Sequence, residues 1–366
     1  MFHFSQYQKL FYLTGIAILI TVALLINNTI RVNAKRNNNQ SQGMLEKGND
    51  TNTVVIGFAG DVMIGRLVNE QIRRTNYSYP WGNVLTMLKK TDFNIINLET
   101  TLTTSEDRMS KVFNFKSDPE HAAVLTAARI SAVTIANNHI LDFGIRGMKE
   151  TIAVLDKAGI PHTGAGNTIF EAVKPVILKK NNLRIGMLGF TDNEPGWAAT
   201  ENSPGINFMR VGEIEKIKNE VDKLRNDVDL LIVSLHWGPN MRKAPTAEFI
   251  SFAHQLIDLG VDIIHGHSAH IFQGIEWYKE KLILYDCGNF VDDYRVDPIL
   301  QNDHSFLFLC QVGKKEIRRL QLIPVLISDM QVNLAKGADY EWCIKRMQTL
   351  SAPFGTKILH TGEVER

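Results

Sequence analysis

The sequence predicts an α/β fold, in which a sheet of alternating strands and helices is capped by an antiparallel layer of strands. Apolar, β-branched runs alternate with amphipathic segments over residues 53–267, the pattern of strands joined by crossover helices. From residue 274 to residue 325 the pattern is strand-like only. No break in composition divides residues 53–330, so we expect one domain there, followed by an extension at residues 331–366.

In the first half of this domain, two helix boundaries are marked by residues that favour them. Pro119 and Glu120 suit the first turn of a helix over residues 118–128. Gly159, followed by Pro161, is a typical end for a helix over residues 145–158. The other elements predicted in this half are a strand at 53–61, a helix at 81–90, and strands at 93–99 and 132–138.

The second half predicts a hairpin and two further strand–helix units. Asn181-Asn182 separates two alternating runs and fits the turn of a hairpin over residues 175–190. A charged amphipathic helix at 213–226 precedes a buried strand at 229–235. The remaining predicted elements are a helix at 247–259, a strand at 261–267, and later strands at 274–277, 282–285, 306–312 and 318–325.

The composition is that of an ordinary globular protein. Of the 366 residues, 44% are apolar and 22% charged, and the net charge of +1 does not indicate a nucleic-acid-binding surface. The cysteines Cys287, Cys310 and Cys343 are an odd number without a close pair. Because they lie in apolar, strand-like surroundings, we expect buried free thiols and exclude a disulfide framework.

An apolar segment at residues 10–26 predicts a transmembrane anchor. It carries no charged residue, and its length is at the lower end of the roughly 17–25 residues that span a bilayer. The alternative is a cleaved secretory signal, for which the apolar run is long. Residues 1–9 form a short tail, and the polar residues 27–52 predict a flexible linker. Basic residues are more frequent after the segment than before it, which by itself favours a cytoplasmic domain.

Side chains that bind metals follow five of the predicted strands. Because the carboxyl ends of parallel strands meet at one edge of a sheet, we expect these side chains to lie close together. Carboxylate, amide and imidazole ligands suit Mn, Zn or Fe(II). For the last and most histidine-rich group alone, a plain surface turn is the alternative. In chain order the groups are Asp61, Glu99, Asn138 with His139, His236, and His267 with His270.

The order of these residues resembles that of the calcineurin-like metallophosphoesterases, whose strands end in Asp, a second acid, Asn-His, a lone His and Gly-His-x-His. More closely, the chain is similar to the CapA family of capsule-synthesis proteins, which is associated with poly-γ-glutamate. The matching segments are GFAGDVMIGR (57–66), INLETTLT (96–103), ANNHILDFG (136–144), AGIPHTGAG (158–166), LHWG (235–238), GHSAHIFQGIE (266–276) and LYDCGNF (284–290).

The resemblance implies a metallophosphatase-like four-layer sandwich, with mixed sheets flanked by helices, behind one N-terminal transmembrane helix. It implies that His139 acts as a general acid, and Asp142 either orients His139 or caps the following helix. The sequence departs from the phosphoesterase pattern at Val62-Met63, where a ligand histidine is missing, and at Leu98-Glu99, which replaces Gly-Asp. The implied ligands of one or two divalent ions are Asp61, Glu99, Asn138, His236, His267 and His270.

The function implied by the resemblance is the synthesis, export or anchoring of poly-γ-glutamate at a bacterial cell membrane. The implied partners are this polyanionic cell-surface polymer and other membrane synthase subunits. The family layout puts the domain outside the cytoplasm, and we prefer it to the weak charge bias. A metal-dependent hydrolase, a non-catalytic polymer-binding or scaffold subunit, and a phosphoesterase with another substrate remain open. The missing histidine favours the second, whereas the pair Asn138-His139 favours an enzyme.

Overall fold

A computed structural model describes residues 52–366, which form a mixed α/β fold with two large sheets. The first sheet joins a parallel set of strands to an antiparallel set. Two further strands, Asn289–Val291 and Gln331–Leu334, pair with its members. The hydrogen-bonded order of the main strands is Lys357–Ile358, Glu363–Glu365, Glu316–Ser328, His304–Gly313, Val54–Val62, Phe93–Leu98, Ala132–Thr134 and His162–Thr163.

The second sheet has a parallel centre, with one antiparallel strand at each edge. Its order is Ile275–Tyr278, Lys281–Leu284, Ile263–His267, Leu230–His236, Leu183–Thr191 and Val176–Lys180. Two small two-stranded sheets pair Thr101–Leu102 with Lys116–Ser117 and Ala165–Gly166 with Gly205–Ile206. The α-helices of the described residues are Arg66–Arg74, Leu85–Leu88, Ala122–Ala127, Gly144–Ala158, Ile169–Ala172, Ile214–Leu224, Ala247–Asp258 and Ala338–Ser351.

The two large sheets face each other across a buried apolar layer. Phe58 of the first sheet and Ile232 and Ile263 of the second belong to this one cluster. The next residues along the strands point outward, because side chains alternate between the two faces of a strand. On these outer faces the sheets pack against helices, which are Arg66–Arg74, Ala122–Ala127 and Gly144–Ala158 for the first sheet and Ile214–Leu224 and Ala247–Asp258 for the second. The resulting order is helix, sheet, sheet, helix.

The prediction of an α/β domain is confirmed, and so is the prediction of buried free thiols at all three cysteines. The strand expected at 132–138 ends at Thr134. The sequence pattern does not predict the helix Arg66–Arg74, because its nine residues include only three apolar side chains, Leu67, Val68 and Ile72. It also does not predict Ala338–Ser351, which lies in the extension at residues 331–366; the strands of that extension pair with the first sheet.

Among residues 52–366, no helix is both long and apolar enough to cross a bilayer. The predicted anchor at residues 10–26, the tail before it and nearly all of the predicted linker lie outside the described residues.

Candidate metal centre

All eight residues selected from the sequence as ligands or catalytic groups lie in one place, at the carboxyl ends of the parallel strands of both sheets. Seven of them are buried, and Asn138 is half-buried. His236 Nε2 lies 3.0 Å from Asn138 Oδ1, and His139 Nε2 lies 3.6 Å from Glu99 Oε1. His270 Nδ1 lies 3.2 Å from Asp61 Oδ2. The two sheets therefore contribute to a single polar cluster.

A β-bulge aims Asp61 into this cluster. Phe58 pairs with Ile95 of the neighbouring strand, and the next pair is Asp61 with Asn97, so the strand Val54–Val62 holds one extra residue between them. Such a bulge changes the face to which the following side chains point. The strand also comes very close to the segment at Gly288, whose carbonyl accepts a hydrogen bond from Asp61 N at 3.0 Å. Gly60 makes this approach possible, because a Cβ there would overlap the same carbonyl oxygen.

The histidines of the second sheet reach the cluster by simple alternation. His236 is directly opposite His267 on parallel strands, and Ser234 is opposite His265. These four side chains share the inner face of the sheet with Ile232 and Ile263, which are two residues away along the same strands. Alternation thus places three imidazole rings between the sheets.

A first group of three donors consists of Asp61, His236 and His267, whose ligand atoms all lie within 4.8 Å of one another. His236 Nδ1 and His267 Nδ1 are 3.0 Å apart, and Asp61 Oδ1 lies 3.9 Å from the first and 3.7 Å from the second. Burial lowers the pKa of His236 to about 3 and the pKa of His267 well below its usual value. Both rings are therefore neutral near pH 7, and each has one nitrogen lone pair.

A second group of three donors consists of Asp61, Glu99 and His270 and shares Asp61 with the first. His270 Nδ1 lies 2.9 Å from Asn289 Oδ1 and also faces Asp61 Oδ2, so this nitrogen carries a hydrogen. The other ring nitrogen, Nε2, and Glu99 Oε1 are buried and have no hydrogen-bond partner among the described residues. Buried polar atoms without partners are uncommon, so these two atoms indicate an incomplete set of contacts.

The two carboxylates of the cluster differ in their electrostatics. Burial raises the pKa of Glu99 well above its usual value, and the negative charge of Asp61 raises it further. Burial also acts to raise the pKa of Asp61, but the hydrogen bond and charge of His270 and the neighbouring His236 and His267 hold it below its usual value. Asp61 is thus the ionised carboxylate that both donor groups share.

His139 is held by a network on the side of the first sheet. Its Nδ1 lies 2.6 Å from Asp142 Oδ2, and the ring of Phe115 meets the imidazole edge-on at 4.5 Å. Asp142 also accepts a hydrogen bond from Phe115 N at 2.7 Å and one from Lys111 Nζ at 3.0 Å. The following helix has Phe143 as its N-cap residue, without a side-chain cap. Asp142 therefore orients His139 and does not cap the helix.

Several polar residues of the cluster carry no role in the sequence interpretation. Asn97 donates to Asp61 Oδ1 at 2.8 Å. It lies in the strand Phe93–Leu98, two residues before Glu99, and this spacing could have identified it because extended residues two apart point to the same side. Asp286 accepts hydrogen bonds from Ala269 N and Gly288 N, both at 2.8 Å, and so orders the loop that carries His270. Burial, followed by the charge of Asp61, raises the pKa of Asp286 to about 7.

A cavity of about 530 Å³ is lined by residues of the helix Arg66–Arg74 and of the segment 106–118. The ring of Phe115 contacts His139, and the guanidinium of Arg66, which lines the cavity, lies over the Phe115 ring at 4.8 Å. The cavity is lined by four cationic and three acidic side chains. Arg66 and Arg73 are paired with Asp293 and Asp118, respectively. The lining thus carries both positively and negatively charged side chains.

Comparison with known proteins relates the chain to a group of bacterial proteins. A probable polyglutamine synthesis accessory protein of Mycobacterium tuberculosis is 32% identical over 318 residues, which cover 82% of this chain and 84% of that protein. The capsule biosynthesis protein CapA of Bacillus anthracis is 31% identical, over 68% of this chain and 62% of that protein. The PGA biosynthesis protein CapA of Bacillus subtilis is 30% identical, over 64% and 62% of the respective chains.

Solved structures are more distant. A 5'-nucleotidase precursor from Thermus thermophilus has a TM-score of 0.43 and 13% identity, over 82% of this chain and 59% of that one. The NAD nucleotidase of Haemophilus influenzae has a TM-score of 0.41 and 13% identity, over 81% and 55%. The family model described as "Bacterial capsule synthesis protein PGA_cap" matches residues 55–294. These residues contain every member of the polar cluster, and the chain belongs to the PGA_cap family of bacterial capsule synthesis proteins.

Proposed function

We propose that this chain is a membrane-anchored protein of poly-γ-glutamate capsule biosynthesis, which acts in the synthesis, export or anchoring of the polymer through a metal-dependent hydrolase-like site. Family membership and the names of the mycobacterial and Bacillus relatives support the role in capsule formation. The apolar segment at residues 10–26 supports an anchor in the cell membrane, with the domain outside the cytoplasm. The polymer and other membrane synthase subunits are then its partners.

The observation that carries the metal proposal is the position of Asp61 between two groups of donors. On one side, the neutral rings of His236 and His267 turn their Nδ1 atoms towards each other at 3.0 Å. On the other side, Glu99 Oε1 and His270 Nε2 are buried without partners. A divalent cation would complete both sets of contacts, and mixed nitrogen and oxygen donors suit Mn, Zn or Fe.

The residues present therefore fit one or two ions. Asp61, His236 and His267, with Asn138 beside them, would hold one, and Asp61, Glu99 and His270 would hold the other. When bound, such ions polarise a phosphoryl or carbonyl oxygen and make water acidic enough to lose a proton near neutral pH. The chain itself contributes a buried, pre-oriented set of ligands.

His139 is proposed as the residue that transfers a proton. Asp142 accepts the hydrogen on His139 Nδ1, which leaves Nε2 as the atom that faces Glu99 and the centre of the cluster. Burial lowers the pKa of His139, while the hydrogen bond and charge of Asp142 act to raise it. A proton that Nε2 takes up can pass to the leaving group of a phosphoester or amide substrate. General acid catalysis of this kind contributes about 10²–10⁴-fold to the rate.

The second candidate is a non-catalytic subunit that binds the polymer. One observation favours it: Met63, two residues after Asp61, is a buried apolar side chain at the position where the phosphoesterase pattern has a histidine ligand. In this case the cavity at the helix Arg66–Arg74, with its cationic side chains, is the proposed binding surface for a polyanion.

Two measurements on the purified full-length chain test the proposal. The first is the content of Mn, Zn and Fe, and the second is the hydrolysis of a generic phosphomonoester and phosphodiester. We expect near-stoichiometric metal, and turnover that falls by about 10²–10⁴-fold in His139→Ala while the metal content is unchanged. His360→Ala, at an exposed histidine far along the chain, is the matched control. Absence of metal would contradict the hydrolase proposal, and metal without turnover would favour the binding subunit.

A further inference from the structure

A buried chain of hydrogen bonds connects a backbone carbonyl of the first sheet to His267. His265 Nε2 lies 2.9 Å from Ala59 O. His265 Nδ1 lies 3.0 Å from Ser234 Oγ, and the same oxygen lies 3.0 Å from His267 Nε2. All three side chains are fully buried. The sequence interpretation gives neither His265 nor Ser234 a role, although His265 belongs to the histidine-rich segment.

The carbonyl group at one end fixes the direction of every hydrogen bond in this series. A carbonyl oxygen can only accept, so the hydrogen of this contact is on His265 Nε2. A neutral imidazole carries one hydrogen, and His265 Nδ1 is then an acceptor for the Ser234 hydroxyl. Because that hydroxyl has a single hydrogen, Ser234 Oγ must accept at its other contact. The hydrogen of His267 is therefore on Nε2.

The opposite nitrogen of His267 is consequently a lone pair, and it points into the candidate metal centre. His267 Nδ1 is the atom that lies 3.0 Å from His236 Nδ1 and 3.7 Å from Asp61 Oδ1. His236 has a corresponding arrangement, because its Nε2 faces Asn138 Oδ1 at 3.0 Å. With Asn138 Oδ1 as acceptor, His236 Nδ1 is also a lone pair. Two ring lone pairs and one carboxylate oxygen then face one another, and the amide Nδ2 of Asn97 lies beside them, 2.8 Å from Asp61 Oδ1 and 3.3 Å from His236 Nδ1.

The surroundings of His265 favour its neutral form. The ring packs against Phe58 at 5.3 Å between centroids, inside the apolar layer between the sheets. A doubly protonated His265 would donate at both nitrogens, and this would reverse the hydroxyl of Ser234 and move the hydrogen of His267 to Nδ1.

We propose that His265 and Ser234 are positioning residues that fix the tautomer of His267, with its hydrogen on Nε2 and its lone pair on Nδ1, so that the ring is ready to bind a divalent cation. Neither residue touches the ion; each acts through the next. The assignment of the tautomer stands on the hydrogen bonds alone, and its consequence for cation binding rests on the proposed function. Partners of this kind commonly contribute 10–100-fold to metal affinity.

The tautomer can be measured directly in the metal-free protein. The full-length chain, labelled with ¹⁵N-histidine and treated with a chelator, would be studied by long-range ¹H–¹⁵N correlation, which distinguishes protonated from unprotonated ring nitrogens. The signals of His267 would be assigned by their loss in His267→Gln. We expect hydrogen on Nε2 and a lone pair on Nδ1 at neutral pH. Hydrogen on Nδ1 of His267 would overturn the proposal, whether or not the protein binds metal.

The second arm measures the affinity of Ser234→Ala for Mn²⁺ and Zn²⁺ alone by titration calorimetry. We expect an affinity about 10–100-fold lower than that of the wild type, together with a mixture of His267 tautomers. Ser351→Ala is the matched control, because Ser351 is also fully buried and its hydroxyl accepts a hydrogen bond from Ile275 N at 3.0 Å. Unchanged affinity and an unchanged tautomer in Ser234→Ala would overturn the proposal. A wild type that binds neither ion would contradict the proposed function, and the tautomer measurement would then decide this inference by itself.

Discussion

Asn97 Nδ2 lies 2.8 Å from Asp61 Oδ1, on neighbouring strands whose register is shifted by the bulge before Asp61. The same nitrogen lies 3.3 Å from Glu99 Oε2, so one amide stands between the two buried carboxyl groups. Asn137 Nδ2 donates to Asn97 Oδ1 at 2.9 Å and thereby keeps the donor end of the amide directed at the acids. Asn97 thus lets two acidic side chains share one buried site.

Replacement of this amide by a carboxyl group tests that role. Asn97→Asp puts a third acid beside Asp61 and Glu99 and removes the donor between them. We expect the metal-free chain to lose about 3–5 kcal/mol of unfolding free energy, the cost of leaving a buried charge without its partner. Added Mn²⁺ should restore more stability to the variant than to the wild type, because it binds only the folded chain.

Thermal unfolding with and without Mn²⁺ measures both effects of Asn97→Asp. Asn202→Asp, at an exposed loop position, introduces the same charge away from the cluster and serves as the control. Equal melting temperatures for Asn97→Asp and Asn202→Asp in chelator would contradict the role given to Asn97.

A second prediction concerns Gly60, which lies at the bulge. A methyl group at this position would overlap the carbonyl oxygen of Gly288, which also accepts the hydrogen bond from Asp61 N. We expect Gly60→Ala to destabilise the domain by at least about 1–3 kcal/mol, as overpacking does, and to displace Asp61. The free energy of unfolding in urea and the affinity for Mn²⁺ should therefore both fall. In Gly196→Ala, where the new methyl meets nothing within 4 Å, the change should stay within about 0.5 kcal/mol. Similar stabilities for the two variants would show that the strands tolerate separation at Gly60.

Some residues of the cluster are marked in the sequence and others are not, because they reach the cluster in different ways. The strand ends that carry Asp61, Glu99 and His236 are marked by apolar runs, and parallel strands bring their ends together whatever the helices between them do. No such signal predicts the bulge, because Gly60-Asp61 has the sequence of an ordinary strand end. Asn97 lies inside the apolar run 93–98, where an asparagine looks like an interruption of the pattern.

Loop residues are missed for a different reason. Lys111 comes from residues 103–115, a stretch without regular structure, so nothing in its sequence indicates which strand end it approaches. Asp286 lies in the matched segment LYDCGNF, and its contact with Gly288 N is local, but the loop of Ala269, whose N–H it also accepts, approaches it only in the folded chain. Contacts of this kind depend on tertiary structure, and no periodic pattern in the local sequence predicts them.

Lys111 gives a third prediction. Its ammonium group lies 3.0 Å from Asp142 Oδ1, contacts the carbonyl oxygen of Asn138 and sits over the ring of Trp197 at 4.7 Å. Lys111→Met removes the cation that pairs with Asp142 and leaves the ligand groups intact. We expect turnover to fall by about 10–100-fold, since hydrogen bonds to charged groups contribute about 1.5–3 kcal/mol.

Metal content distinguishes this effect from general damage to the fold. The metal content of Lys111→Met should equal that of the wild type. Lys345→Met, on the exposed side of the helix Ala338–Ser351, is the matched control and should leave turnover unchanged. Loss of bound metal in Lys111→Met would mean that the lysine supports the ligands and has no specific link to His139.

A last prediction concerns stability away from the cluster, at His304. Its Nδ1 lies 2.9 Å from Asp303 Oδ1 and its Nε2 lies 3.3 Å from Asp339 Oδ1, so both nitrogens face carboxylates and both contacts require hydrogen. Burial acts to lower the pKa of His304, but the hydrogen bond and charge of Asp303, followed by those of Asp339, raise it above the usual value. When it is protonated, the ring connects the strand His304–Gly313 to the start of the helix Ala338–Ser351 through both carboxylates.

A folded-state pKa above the unfolded one means that the folded chain holds this proton more tightly. The contribution of His304 to stability is then complete below the ordinary histidine pKa of about 6.5 and disappears as the pH rises through the raised value. The difference in unfolding free energy between the wild type and His304→Gln, measured in urea, should be larger at pH 5.5 than at pH 8.5. A difference for His304→Gln that is constant across this range would mean that the ring stabilises the chain through its packing on Trp342 alone.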